Sequence, residues 1–119
     1  VVLELADGEF EIVFCRSAAV HDGRFANNAW LQETPDPLTK LTWDNAAIMA
    51  PATAKQLGVE FESVVRLRYR DRELSLPVFV MPGHAAGSIT VWLGYGRTAA
   101  GRVGGEAPSI PGVGVDTYQ

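Results

Sequence analysis

The chain is poor in the residues that most protein-bound chemistry uses. Its 119 residues include a single cysteine, Cys15, and two histidines, His21 and His84. One cysteine excludes an internal disulfide and falls short of the several thiolates that an iron–sulfur cluster needs. Neither histidine has a metal-ligand spacing around it, and Cys15 has no histidine or second cysteine at a motif distance. We therefore expect no metal site and treat Cys15 as a structural thiol.

Excess positive charge and long apolar runs are also lacking. The net charge is −4, and the arginines alternate with acidic residues, so the chain offers no basic field for nucleic acid. No run approaches the roughly 20 apolar residues that span a bilayer, which predicts no direct membrane insertion. The chain opens on Val1 rather than methionine, and we expect it to be a fragment of a longer protein.

The composition that remains is that of one globular domain covering residues 1–119. Hydrophobic residues make up 47% and charged residues 20%, enough for a real core. Apolar residues repeat mostly with a period of two, and the pattern predicts about six or seven short strands with one or two short helices. Such a set favours a mainly β fold, a small β-barrel with a helix across it.

The best-defined stretch predicts a strand, a short helix and a strand between Trp43 and Tyr69. Pro51 suits the first helical turn and Gly58 the left-handed position after the last one, whereas Ala50 is a poor N-cap. Val65, Leu67 and Tyr69 share one strand face, and Asp71-Arg72 turns the chain into a second strand at Glu73–Met81. Pro77 in that strand marks an edge, a bulge or a crossing point.

Other strands are predicted on both sides of this stretch. Val1–Leu5 and Phe10–Cys15 alternate around the turn Asp7-Gly8, with Phe14 on the core side. Leu41–Trp43 forms a short strand and Ser88–Leu93 a longer one. Residues 16–40 keep no period, so we predict a long ordered loop with one helical turn, packed down by its large apolar residues Phe25, Trp30 and Leu31.

The last part of the chain is rich in glycine. Seven of the twelve glycines lie between Gly94 and Gly114, in a stretch that follows a strand without opening an apolar helix. It contains neither a P-loop nor a GxGxxG motif, which argues against nucleotide binding by those modes. The composition predicts loop backbone that can approach a partner closely.

Polar side chains crowd the loops on either side of the two central tryptophans, and two interpretations stay open. Such Asn and Asp side chains either bond their own loop backbone or form a surface for a ligand or partner. Likewise, Arg97 and Arg102 either meet an anionic partner or are simply solvated. The polar residues concerned are Asp22, Arg24, Asn27 and Asn28 before Trp30, and Asp44 and Asn45 after Trp43.

Three strings of the sequence are specific: NNAWLQE, LTKLTWDNAA and LGYGRTAAGRVG. With their surroundings, from Phe10 to Gln119, they resemble the C-terminal domain of molybdopterin oxidoreductase-like proteins. The resemblance is greatest to the large iron–sulfur subunit of alternative complex III, in the hydrogenase-like, Tat-exported branch. Two departures concern the end of the chain: the insert EAPSIP between Gly105 and Gly112, and a DTYQ tail where Asn-Ala-Tyr is more usual.

The resemblance implies a double-psi β-barrel of the molybdopterin-dinucleotide-binding type. In molybdenum enzymes of the wider superfamily, loops at one end of this barrel help to hold the dinucleotide. Transferred by position, the cofactor-binding residues are Asp22, Arg24, Asn27, Asn28, Trp43, Asp44, Asn45, Gly94, Tyr95, Gly96 and Arg97.

Two functions follow from the resemblance. The first is a structural, cofactor-free and non-catalytic barrel in the iron–sulfur subunit of a quinol-oxidising respiratory complex, on the periplasmic face of a bacterial inner membrane. Its partners are other domains of the same polypeptide and other subunits, and the clusters lie elsewhere in the full protein. The alternative is a domain that binds molybdopterin guanine dinucleotide in a molybdenum oxidoreductase. A peptide-binding barrel, as in the amino-terminal domains of some ATPases, fits the fold but not these strings.

Overall fold

The computed structural model describes residues 10–105 and 112–118, and these form a mainly β structure with few short helices. The predicted arm Val1–Leu5 with its Asp7-Gly8 turn, and the EAPSIP insert, lie outside the described residues. Five strands make one mixed sheet in the order β1-β5-β2-β4-β3. The strands are β1 Glu11–Arg16, β2 Ala47–Met49, β3 Val64–Tyr69, β4 Arg72–Val80 and β5 Ser88–Leu93, and the helices are α1 Ala29–Glu33, α2 Pro51–Leu57 and α3 Gly101–Gly104.

The described residues divide into two compact units, each made of separate stretches of sequence. The first unit comprises residues 10–14 and 46–91, and the second comprises residues 15–45, 92–105 and 112–118. The first unit contains α2 and most of the sheet, whereas the second contains α1 and α3. Every residue of the predicted contact loops belongs to the second unit.

Helix α2 forms where its end signals predicted it. Pro51 occupies the first turn, Ala50 precedes it without a side-chain cap, and Gly58 ends the helix with a φ of 66°. The amide of Gly58 donates to carbonyls of the last turn, and that of Val59 donates to the Ala54 carbonyl at 3.0 Å. Val59 and Ala54 are both buried, so the chain folds back onto the helix as a left-handed cap allows.

The β3–β4 hairpin is confirmed, with its turn one residue earlier than predicted. Arg70 and Asp71 occupy the two turn positions with φ of 48° and 64°, the left-handed conformation that a tight primed turn requires. Pro77 is a crossing point, because β4 pairs with β3 as far as Pro77 and with β2, in parallel, from Val78 onward. The missing N–H of Pro77 therefore falls where the strand changes partner.

The core of the first unit is built from the buried apolar side chains of its strands. In β2, which lies between β4 and β5 in the sheet, all three residues are buried. Fully burying a Val, Leu, Ile or Met side chain contributes about 1.5–3 kcal/mol to the free energy of folding. The largest fully buried apolar side chains of this unit are Ile48, Met49, Val65, Leu76, Val78, Ile89 and Val91.

Several predictions of strand position and burial are wrong. Leu41–Trp43 is not a strand, whereas the strand predicted between Trp43 and Pro51 does form, at Ala47–Met49. Trp30 is 83% exposed and Phe25 46% exposed, so neither packs the loop down as expected. Phe14 is 49% exposed rather than a core residue. Alternation and residue type identify apolar positions, but what covers each position is decided by distant parts of the chain.

Substituting Gly58 tests the helix C-cap. A Cβ at this position would meet nothing within 4 Å, so Gly58→Ala should cost only the left-handed backbone energy, about 1–2 kcal/mol. Urea unfolding followed by circular dichroism measures the loss. Asn tolerates this backbone better than Ala, so Gly58→Asn should lose less stability than Gly58→Ala. Equal losses for the two variants would contradict the assigned cap.

Candidate functional site

Two predicted loops of the second unit meet through glycines. A Cβ on Gly94 would lie 2.6 Å from the Gly23 nitrogen, and one on Gly23 would lie 2.7 Å from Cδ of Arg97. Both distances are too short for real Cβ contacts, so a side chain at Gly94 would push the two loops apart and one at Gly23 would displace the Arg97 side chain. The close approach of backbone that the glycine content predicted therefore occurs within the chain itself, between residues 21–24 and 94–97.

The contact creates a cavity of about 290 Å³, which we call the Arg97 pocket. Three of its lining residues, Arg24, Asn27 and Arg97, belong to the predicted site. A further three, Ala99, Ala100 and Gly101, were not predicted, although they lie in the glycine-rich stretch that signalled close backbone approach. Gly23 completes the lining.

The two arginines of the pocket differ in their partners. Arg24 donates from Nε and Nη2 to the two carboxylate oxygens of Asp22, at 2.9 and 2.8 Å. These hydrogen bonds hold the pKa of Asp22 well below its usual range and raise the pKa of Arg24. Arg97, in contrast, makes no hydrogen bond or ion pair with any described residue, and its Nη1 lies against the Gly23 backbone.

The two predicted asparagines of the first loop both bond backbone. Asn28 is the N-cap of α1, and its Oδ1 accepts from the Leu31 amide at 3.3 Å. Asn27 reaches across to α3, where its Oδ1 accepts from the Val103 amide at 3.1 Å. A Cβ on Gly101 would overlap the Asn27 amide group, so Gly101 makes room for that side chain.

Asn45 joins three distant segments, and we call this arrangement the Asn45 junction. Its Nδ2 donates to the carbonyls of Trp92 and Val115 at 3.0 and 2.9 Å, and its Oδ1 accepts from the Val115 amide at 2.8 Å. The side chain is fully buried. Backbone groups of the chain therefore use both N–H donors of the carboxamide and one of the two acceptor positions of its oxygen.

Glycines let the end of the described chain reach this junction. The Gly96 amide donates to the Val113 carbonyl at 2.7 Å, and a Cβ on Gly96 would overlap Asp116. A Cβ on Gly114 would lie 2.7 Å from Oδ1 of Asn45 and 2.9 Å from the Tyr95 side chain. The segment of residues 112–118 is thus a component of the site that the predicted residue set omitted.

Three remaining predicted residues lie outside the Arg97 pocket. Tyr95 is 7% exposed, and burial raises the pKa of its phenol, an effect partly offset by a hydrogen bond with Ser17. Trp43 is half-buried with a φ of 59°, and its amide donates to the Gln32 carbonyl. Asp44 is exposed as a residue, yet partial desolvation of its carboxyl raises its pKa.

Most of the predicted residues therefore form two groups rather than one site, whereas Asn28, Trp43 and Asp44 belong to neither group. The first group is the Arg97 pocket, which Arg24, Asn27 and Arg97 line, together with Asp22, which accepts hydrogen bonds from Arg24. The second group surrounds the Asn45 junction and consists of Asn45, Gly96 and Tyr95. The short loop 94–97 belongs to both groups.

The described residues were compared with the requirements of a metal site and of a membrane-spanning helix. Within residues 10–105 and 112–118, no three His, Cys, Asp or Glu side chains lie close enough together to hold a metal ion. In the same ranges, no helix has the length and apolar character needed to cross a bilayer. No protein-family model matches the chain, and a search of curated proteins found no match to its sequence.

Replacing Asn45 tests the junction. Asn45→Ala leaves the part-buried amide and carbonyl of Val115 without these partners, whereas the Trp92 carbonyl keeps the Thr117 hydroxyl at 3.0 Å. We expect a loss of about 3 kcal/mol in the free energy of unfolding, measured by urea denaturation. Asn27→Ala removes one exposed bond and should cost less than about 1 kcal/mol. Equal losses would show that the junction does not hold the segments together.

Asp22 gives the pH dependence of stability a definite sign. Its pKa is lower in the folded chain than the unfolded value of about 3.9, so its stabilisation is complete above that pH and declines as the pH falls further. The stability difference between the parent chain and Asp22→Asn should be constant from about pH 5 to 7 and shrink below about pH 4.

The pH dependence of stability should have the opposite sign for Asp44, which serves as a control for Asp22. Its folded pKa is raised, so lowering the pH through that value should stabilise the parent chain relative to Asp44→Asn. Unfolding free energies of the three proteins across this pH range check both signs. A shared sign for Asp22 and Asp44 would contradict the assigned ion pair.

Proposed function

We propose that the chain is the C-terminal barrel domain of a molybdopterin oxidoreductase-like iron–sulfur subunit, a structural and cofactor-free module of a quinol-oxidising electron-transfer complex. In this proposal its loops contact other domains of the polypeptide and other subunits, on the periplasmic face of a bacterial inner membrane. The iron–sulfur clusters lie elsewhere in the full protein, and the domain itself is not catalytic. The proposal begins from the resemblance of the three sequence strings.

The strongest support for a structural role is the use made of the site's polar side chains. Asn27, Asn28 and Asn45 bond backbone of the chain itself, and the Asp22 carboxylate is taken by Arg24. Side chains that already bond backbone serve to hold loops in place, and using them for a ligand would cost those bonds. The site is thus organised to fix its own loops.

We also propose that the mixed sheet belongs to a double-psi β-barrel of the molybdopterin-dinucleotide-binding type. Two features support this. The short strand β2 pairs in parallel with β4 and antiparallel with β5, and β4 changes partner at Pro77. Such exchange of partners within one strand is a way in which a small sheet bends toward closure.

The alternative is a domain that binds a pterin dinucleotide, and one observation favours it: Arg24, Asn27 and Arg97 line a common pocket. The charge of the pocket argues against it. A diphosphate carries at least two negative charges, whereas Asp22 already neutralises Arg24 and leaves Arg97 alone. The pocket lining also contains no aromatic side chain on which a guanine would stack. The residues present therefore do not fit the dinucleotide well.

Calorimetric titration with molybdopterin guanine dinucleotide distinguishes the two functions. A structural module should show no binding at micromolar concentrations, and Arg97→Ala should leave that result unchanged. Micromolar or tighter binding by the parent chain, lost in Arg97→Ala, would overturn the structural proposal. The coding sequence upstream of Val1 gives an independent test, because several four-cysteine motifs there are required for an iron–sulfur subunit.

A further inference from the structure

The Arg97 guanidinium is a cation without an anion inside the part of the chain that the structure describes. Arg97 makes no hydrogen bond or ion pair there, although the nearby Arg24 holds Asp22 in two hydrogen bonds. None of the residues that line the pocket is acidic. In a chain with a net charge of −4, this pocket is therefore a local positive site.

Arg97 is an exposed residue, and its side chain lies over the Gly23 backbone. Its Cδ and Nη1 would lie 2.7 and 2.8 Å from a Cβ on Gly23, so the arginine lies across the loop only because residue 23 is glycine. Elsewhere in the lining, Gly101 leaves room for the Asn27 amide. Pre-positioning of this kind lowers the entropy cost of binding.

The charge and the lining of the Arg97 pocket indicate which kind of anion it can bind. With Arg24 neutralised by Asp22, the pocket has one guanidinium available, which matches one carboxylate rather than a diphosphate. The pocket is lined by glycines and alanines, two arginines and one asparagine, and it has no aromatic side chain on which a nucleobase could stack. Asn27 accepts from the Val103 amide through Oδ1, and its Nδ2 has no partner among the described residues, so it remains a second donor.

We propose that the Arg97 pocket receives the carboxylate of an Asp or Glu side chain from a polypeptide segment that packs on the second unit. This inference rests on the proposed function, because it names the chemistry of the contact that the module makes with its neighbours. Arg97 provides the charge-assisted hydrogen bonds and Asn27 Nδ2 an additional one. A planar carboxylate suits the fork of a guanidinium, which can bond both of its oxygens.

The test is a titration followed by amide chemical shifts at constant ionic strength. The probe is the blocked peptide acetyl-Gly-Gly-Glu-Gly-Gly-amide, and its Gln analogue is the uncharged control. The Glu peptide should shift the signals of Gly23, Asn27 and Gly101, and the Gln peptide should bind about fivefold or more weakly. Arg97→Ala should weaken binding of the Glu peptide by a similar factor.

Arg102→Ala is the matched control variant. It removes the same charge from the same glycine-rich segment, but Arg102 does not line the pocket, so binding should change less than about twofold. Equal effects of the two variants, or equal binding of the Glu and Gln peptides, would overturn the proposal. Inorganic pyrophosphate is the third probe, and binding tenfold tighter than that of the Glu peptide would assign the pocket to phosphate instead.

Failure of this inference is distinguishable from failure of the proposed function. If neither the dinucleotide nor the Glu peptide binds, the carboxylate contact is wrong and the structural role stands. If the dinucleotide binds at micromolar concentration, the structural role itself is wrong. Circular dichroism of each variant before titration ensures that a lost signal reports binding rather than unfolding.

Discussion

The carboxamide of Asn45 is the constraint on which the second unit depends. A buried amide has to find partners for its donors and its acceptor, or it costs more than it contributes. Asn45 meets this requirement with backbone of Trp92 and Val115, two segments that are remote from it in sequence. Three stretches of chain are therefore held at one point, and the loop 94–97 between two of them inherits its position from that contact.

The glycines and the charges of the site follow from the same close approach. Loops that meet backbone to backbone leave no room for a Cβ, which explains glycine at residues 23, 94 and 96. Where backbone fills the contact, few side chains remain to balance charge. Asp22 balances Arg24, and nothing in the described chain balances Arg97. Among the described residues, Arg97 is thus a cation without a counter-charge at a point where two loops meet, which makes it suited to recognise an anionic partner.

Secondary-structure elements that depend on residues close together in the sequence were predicted correctly. Helix α2 was predicted with its proline and its glycine cap, and the β3–β4 hairpin by its alternation, because both depend on residues adjacent in sequence. The strand before α2 was also predicted and forms at Ala47–Met49, whereas Leu41–Trp43 was predicted as a strand and is not one. Trp30 was expected inside and is 83% exposed, because residue type alone does not say whether a partner surface lies opposite.

The amino-acid sequence alone determined the mainly β class, the ends of α2, the hairpin and the loops in which polar residues gather, because these depend on short-range periodicity and backbone preference. The glycines of the sequence also indicated that backbone would approach another group closely, but they did not identify that group. The pairing of Asn27 with α3, the junction at Asn45 and the isolation of Arg97 were decided only by tertiary structure. Each depends on groups tens of residues apart, and a hydrogen bond or an ion pair exists only when folding brings both partners within about 3 Å.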